Sequence, residues 1–306
     1  MSARLLDLRA RIGGVVSGDT GLFPGPGHSR KDRSLSVRDV GSRLVVHSFA
    51  GDDLGAIFRY LESHGVNLPS KPQPLTATER MKLREMRVRE EAERRALEQS
   101  RKLVARDLWR SAQPIGGAAL AYLKLRGISE AVITQAAGVG DIRYHPEAPR
   151  APYQTGSRTA PAMFGLVRDR WGGCLGLHIT FVREDGGGKA FGDRSRLMVA
   201  SQSGGCIRLA PVAETIAVAE GIETALSFAS LYNVPTWAAR STDGLERFIA
   251  PAGVKEILIA ADGDAAGKRA AGALYERLRP SFRMRLCPAP DGQDWNDVLM
   301  GRMGDE

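Results

Sequence analysis

The chain is expected to be an α/β protein: a Rossmann-like parallel sheet at the carboxy terminus, preceded by an α+β subdomain and a small amino-terminal α+β module. Three observations predict this. From about Thr215 to the end, apolar runs of strand length alternate with amphipathic runs of helix length, which requires right-handed crossovers and parallel pairing. Between residues 107 and 212, a helical pair is followed by consecutive strand-like runs separated by glycine-rich loops. Residues 1–67 repeat that mixture on a smaller scale.

Taken in order, the first module opens with an amphipathic helix and the Gly/Pro-rich stretch GLFPGPGHSRKDRS. Two β-like runs follow, SLSVRD and RLVVHSF, and then the helix DDLGAIFRYLESHG, with Asp52 or Asp53 as its N-cap and Gly65 as its stop. NLPSKPQPLTAT, residues 67–78, holds three prolines among small polar residues and reads as a linker. The stretch up to residue 106 then alternates acids and bases at helical spacing, as a long solvated helix does, without the apolar seam of a coiled coil. In residues 107–212, ARDLWRSAQP and ALAYLKLRGI form the helical pair, ending at Gly127, and AMFGLVRD, CLGLHITFVRE and RLMVA the strands. In residues 213–306 the alternation is regular. The strands are ETIAVAE, PTWAAR, KEILIAADGD and FRMRLCPAP. The helices are GIETALSFASLY, TDGLERFIA, AAGKRAAGALYERLR and DWNDVLMGR.

With 306 residues the chain can bury a real core, and its formal charge of +8 favours acidic partners, of which nucleic acid is the commonest. Cys174, Cys206 and Cys287 lie far apart, which excludes a disulfide framework and a cysteine-rich zinc site and suits a reducing cytoplasm. No apolar run approaches the length of a signal peptide core or a membrane span, so a cytoplasmic protein without membrane association is expected.

In a parallel sheet, chemistry collects where strands end. Glu220 ends one strand, and Asp262 and Asp264 end another, each followed at once by a helix. Gly221 and Gly263 suggest sharp turns there. Three convergent carboxylates repel one another unless a divalent cation sits among them, and a hard ion such as Mg²⁺ or Mn²⁺ suits oxygen ligands. Each acid alone could merely cap its helix; their pairing favours a metal site. GDAAGKR imitates a phosphate-binding P-loop but is one spacer residue short and lacks the Ser/Thr after its lysine.

AVAEGIETALS, then IAADGDAAGKRAA, then DWNDVL, occur in the order and spacing that resemble a Toprim domain, the catalytic fold of bacterial-type primases, topoisomerases and certain nucleases. The resemblance is nearest to primase-like Toprim proteins of plasmids, phages and integrated elements. It implies that Glu220, Asp262 and Asp264 are catalytic and hold Mg²⁺ or Mn²⁺, with Asp294 and Asp297 as further acidic ligands. Upstream, PAMFGLVRDRWGGCLGLHITFVREDGGGKAFGDRSRLMVA resembles the strand-rich half that precedes Toprim in those proteins. By position, Arg168, Lys189, Arg194 and Arg196 are then candidates for nucleotide or template phosphates, with Lys268 on the first turn after the aspartates.

The first module resembles the zinc-binding module of the same group, without its thiols. Phe23, Ser48 and Asp52 stand where thiol ligands are expected, and His28 and His47 alone make a poor zinc site, so no zinc is expected. Arg30, Lys31 and Arg33 remain candidates for contact with DNA. The implied activity is synthesis of short RNA primers from nucleoside triphosphates on a single-stranded DNA template. A Toprim nuclease and a non-catalytic nucleic-acid-binding accessory protein are the alternatives. The resemblance admits a separate replicative helicase as partner and points to a mobile element as host.

Overall fold

The computed structural model describes residues 2–41, 43–66, 77–200 and 204–304, so the linker expected at 67–78 lies almost wholly outside the described residues. The chain divides into two compact units, residues 1–94 and 95–306.

The first unit contains α1 (Ala3–Ile12), β1 (Val15–Ser17), β2 (Thr20–Phe23), β3 (Leu35–Asp39), β4 (Leu44–Ser48) and α2 (Leu54–Ser63). The strands form an antiparallel meander in chain order. Leu5, Leu8 and Ile12 share one face of α1 and pack with Phe23, Leu35, Val37, Ile57 and Leu61. Asp53 is the N-cap of α2, its carboxylate accepting the Ala56 amide at 3.0 Å, and Gly65 beyond the helix takes φ 77°. Strands β1 and β2 were not expected, because three or four residues are too few for an alternating pattern to show.

Where a zinc site would stand, the chain builds a hydrogen-bonded knot instead. His28 Nδ1 meets Asp32 Oδ2 at 3.0 Å and Ser34 Oγ at 3.1 Å, while Nε2 lies 3.2 Å from Asp52 Oδ1. Ser48 Oγ donates to Asp52 Oδ2 at 2.7 Å, and Phe23 is fully buried in the core. With both imidazole nitrogens engaged and no thiolate, this donor set does not fit a structural zinc ion. His47 is exposed and stacks edge-on against Phe49.

The knot makes this unit's stability depend on pH. Hydrogen bonding to Asp32, with Asp52 close by, raises the pKa of His28; the Ser34 hydroxyl and then His28 hold the Asp32 carboxyl well below the usual carboxylate range. The aspartate contribution is present above its unfolded pKa of about 4 and is lost as pH falls toward the lower folded value. The histidine contribution is complete below about pH 6.5 and is lost as pH rises through the raised folded value. Thermal melts of the whole protein should therefore show an alkaline loss above about pH 6.5 that His28→Gln removes. An unchanged pH profile in that variant would refute the assignment.

Helix α3 (Ala77–Ser111) runs unbroken through the boundary expected at residues 106–107, because neither glycine nor proline interrupts ARDLWRS. After it come β5 (Gln113–Pro114), α4 (Gly117–Leu125), α5 (Glu130–Val139), β6 (Ile142–Pro149), β7 (Thr159–Arg168), β8 (Cys174–Phe181) and β9 (Arg196–Val199). These five strands form an antiparallel sheet in chain order. Strand β6 was not expected: its prolines argue against a strand, and the ladder accommodates them with a register shift between His145 and Ala148.

The last part contains β10 (Ile207–Arg208), β11 (Thr215–Ala219), α6 (Ile222–Tyr232), β12 (Thr236–Ala238), α7 (Thr242–Glu246), β13 (Glu256–Ala261), α8 (Ala265–Leu278), β14 (Arg283–Pro288) and α9 (Trp295–Gly304). The sheet order is β10-β12-β11-β13-β14, parallel throughout except for β10, which runs antiparallel to β12. Ile216, Val218, Ile257 and Ile259 face one core, and Ala217, Ala219, Leu258 and Ala260 the other. Burial on both faces explains why these strands read as continuous apolar runs. The second of these cores also takes in Ala119, Leu123 and Met163, and β10 comes from upstream of residue 213, so both parts of this unit share one interior.

Candidate active site

Sheet geometry decides where the acids stand. Strands β11 and β13 are parallel neighbours whose last register pair is Ala219 with Ala260. Glu220 is therefore level with Ala261, one residue short of Asp262, at the carboxyl ends of adjacent strands. On the other side Ala261 pairs with Pro288 of β14, and the chain then turns back to Asp294 at the start of α9.

Two of the expected ligands also cap helices. Asp264 Oδ1 accepts the Gly267 amide at 2.6 Å as the N-cap of α8. Asp294 Oδ1 accepts the amides of Asn296 and Asp297, both at 2.8 Å. Asp297 is exposed, and its Oδ2 accepts the Asp294 amide at 3.0 Å, closing a capping box.

The two glycines act differently from the turn role read in the sequence. Neither takes a left-handed φ. Gly221 is extended at φ −101°, and a side chain there would meet nothing closer than 3.5 Å. Gly263 is required by close approach: a Cβ would lie 1.9 Å from the Pro290 carbonyl oxygen. Its amide donates to the Gln293 oxygen at 2.8 Å, tying the end of β13 to the loop that carries Asp294.

Charge is concentrated at Asp262. Burial, then the negative charges of Glu220, Asp294 and Asp264, push its pKa up to about 7, against a hydrogen bond from Thr224. Its Oδ1 is buried without a hydrogen-bond partner. Burial and Asp264 also raise the pKa of Glu220, which Arg196 opposes. As the side chains stand, no three His, Cys, Asp or Glu among the described residues form a closed ligand set. The donors nevertheless fit a divalent cation in their chemistry: an orphaned carboxylate oxygen on a group that feels the charges of three further acids is what a hard cation satisfies.

The expected basic residues divide. Lys189 and Arg196 come together on Glu223, with Lys189 Nζ 2.8 Å from Oε1 and Arg196 Nη2 3.9 Å from Oε2. Arg168 is engaged by the buried Asp141, its Nε donating to Oδ1 at 2.7 Å, and by the Gly172 carbonyl. Lys268 pairs with the exposed Asp291. Arg194 is exposed in a single 3₁₀ turn, Gly192–Arg194.

Residues 215–305 match the Toprim domain family. The carboxy-terminal part of this chain is a Toprim domain. Residues 99–209 match a domain of unknown function, DUF7146. Among solved structures, the chain is similar to the DnaG primase catalytic domain bound to ssDNA, with 18% identity, 66% of this chain and 77% of that one covered, and a TM-score of 0.46. It is similar to the zinc-binding and RNA polymerase domains of Aquifex aeolicus primase, with 14% identity, 98% and 83% covered, and a TM-score of 0.46. For the primase fragment of the bacteriophage T7 primase-helicase protein the values are 16%, 58% and 69%, and 0.42. No curated protein matches the chain.

The Toprim domain also holds residues that the sequence reading passed over. Glu223 is the second residue of α6, three positions after Glu220, and is only 4% exposed. Burial opposes its ionisation, but Lys189 and Arg196 outweigh that and bring its pKa down to about 2. Thr224 steadies Asp262, and Arg240 at the end of β12 is buried with a positive φ of 78°. A signal was present for Glu223: in GIETALSFAS almost every residue is apolar or small, so an acid on that helix has little chance of reaching water.

Proposed function

We propose that this chain is a primase-like nucleotidyltransferase that makes short RNA primers on single-stranded DNA. Asp262 carries the reading: a half-buried carboxylate with one buried, orphaned oxygen, under the negative charges of Glu220, Asp294 and Asp264 at the carboxyl edge of a Toprim sheet. The sequence resemblance upstream of the Toprim domain favours nucleotidyl transfer over hydrolysis of nucleic acid.

Asp262, Asp264, Glu220 and Asp294 would hold Mg²⁺ or Mn²⁺, which when bound supplies charge neutralisation for a triphosphate and a template for in-line displacement. Glu220, whose pKa is raised by burial, is suited to take the proton of an attacking 3′-hydroxyl. Lys189 and Arg196, both paired with Glu223 and with side chains partly open to solvent, can meet phosphate oxygens, and the exposed Arg194 is a further candidate for them. Asp297, as the closing half of a capping box, holds Asp294 in place.

The test is incubation with single-stranded DNA, labelled ribonucleoside triphosphates and Mg²⁺ or Mn²⁺, beside an Asp262→Asn/Asp264→Asn double variant. Short labelled products from the native protein, absent in the variant, are the expected result. Cleavage of the DNA in their place would make the attacking group water and the protein a nuclease. DNA binding with neither reaction would make it an accessory protein.

A further inference from the structure

Glu223 touches three separate elements with one carboxylate. Its Oε1 accepts the Tyr122 hydroxyl of α4 at 2.9 Å and lies 2.8 Å from Lys189 Nζ, in the loop between β8 and β9. Its Oε2 faces Arg196, the first residue of β9, at 3.9 Å. The two cations differ in freedom: the Lys189 side chain is 27% exposed and tightly paired, whereas that of Arg196 is 45% exposed and loosely paired. Arg196 also acts on Glu220. Without a second carboxylate, both cations would be drawn onto the catalytic acids themselves, neutralising the charge a divalent cation needs.

We propose that Glu223 is a positioning residue, the internal counter-ion that holds Lys189 and Arg196 beside the acidic cluster so that they receive the phosphates of an incoming nucleoside triphosphate. This rests on the triphosphate reading of the site. Tyr122 sets the carboxylate's orientation, and the start of α6 places Glu223 three residues after Glu220. His178 of β8, which feels the charges of Glu223, Arg196 and Lys189, is buried with neither ring nitrogen hydrogen-bonded. His178 stays neutral because burial lowers its pKa to about 4, so it adds no competing positive charge.

The experiment measures binding of Mg²⁺-tripolyphosphate by calorimetry and primer-synthesis kinetics on the same full-length preparations. In Glu223→Gln, tripolyphosphate affinity and the KM for nucleotide should worsen about ten- to hundredfold, as for one lost charge-assisted hydrogen bond. The kcat should change much less, which general unfolding would not produce. Tyr122→Phe removes only the hydroxyl that orients Glu223 and keeps the fold testable should Glu223→Gln not fold. It should raise KM about two- to tenfold, the effect of one ordinary hydrogen bond.

If native protein makes primers and neither variant changes affinity or KM, the positioning role is wrong while the primase reading stands. If native protein makes no primers but binds tripolyphosphate in a manner these variants weaken, the primase reading falls and the role of Glu223 stands. Native protein that neither binds tripolyphosphate nor makes primers overturns both.

Discussion

Asp262→Asn should abolish divalent-dependent synthesis, by about a thousandfold or more, which corresponds to about 4 kcal/mol of barrier. The same change should raise the melting temperature of the metal-free protein. Asparagine keeps the shape of the side chain and the contact with Thr224 while removing a half-buried charge that is repelled by Glu220, Asp294 and Asp264. The sign follows from proton linkage. The folded pKa of about 7 lies above the unfolded value of about 4, so between them the native state binds more protons than the unfolded state. Metal-free protein should therefore lose stability as pH rises through that window, and the advantage of Asp262→Asn should grow across it and level off above about pH 7. Mg²⁺ or Mn²⁺ should raise the melting temperature of native protein and leave that of the variant almost unmoved. Retained synthesis in the variant, or equal responses of the two proteins to divalent ions, would remove Asp262 from the centre of the site.

The Toprim domain was legible because its two signals are local. Buried parallel strands are short apolar runs, and an acid placed immediately after such a run has only the carboxyl edge to stand on. Glu220 and Asp262 needed nothing more. Their adjacency depends on β11 and β13 pairing directly while β12 lies outside, an ordering that no single strand encodes. In DWNDVL a ligand and a capping acid look alike, and the capping role of Asp297, whose carboxylate accepts the Asp294 amide, became visible only in the folded chain. Lys189 and Arg196 could be marked as basic residues in a glycine-rich loop, but their shared partner Glu223 lies beyond β10 and β11, so the triad exists only in the folded chain. Strand β6 stayed hidden because its prolines contradict local strand preference, and its neighbour β7 overrides them.

Gly263→Ala carries the second large effect and tests how the acids are held together. A methyl group at this position would lie 1.9 Å from the Pro290 carbonyl oxygen and 2.9 Å from that of Gln293, both backbone atoms that no rotamer change can move aside. The loop must retreat, and the hydrogen bond from the Gly263 amide to the Gln293 oxygen goes with it. A cost of about 3 kcal/mol is expected, a fall in melting temperature of roughly 5–10 °C. Asp294 follows Gln293 directly, so its carboxylate should withdraw from Asp262, and the stabilisation conferred by Mg²⁺ or Mn²⁺ should shrink with primer synthesis. Gly272→Ala on α8 is the matched control: a Cβ there meets nothing within 4 Å, and helix propensity should make that variant more stable by about 0.5–1 kcal/mol. A Gly263→Ala protein that melts early yet keeps its full response to divalent ions would show that this glycine serves packing alone. Loss of both together would show that the interval between Asp262 and Asp294 is set by the absence of one methyl group.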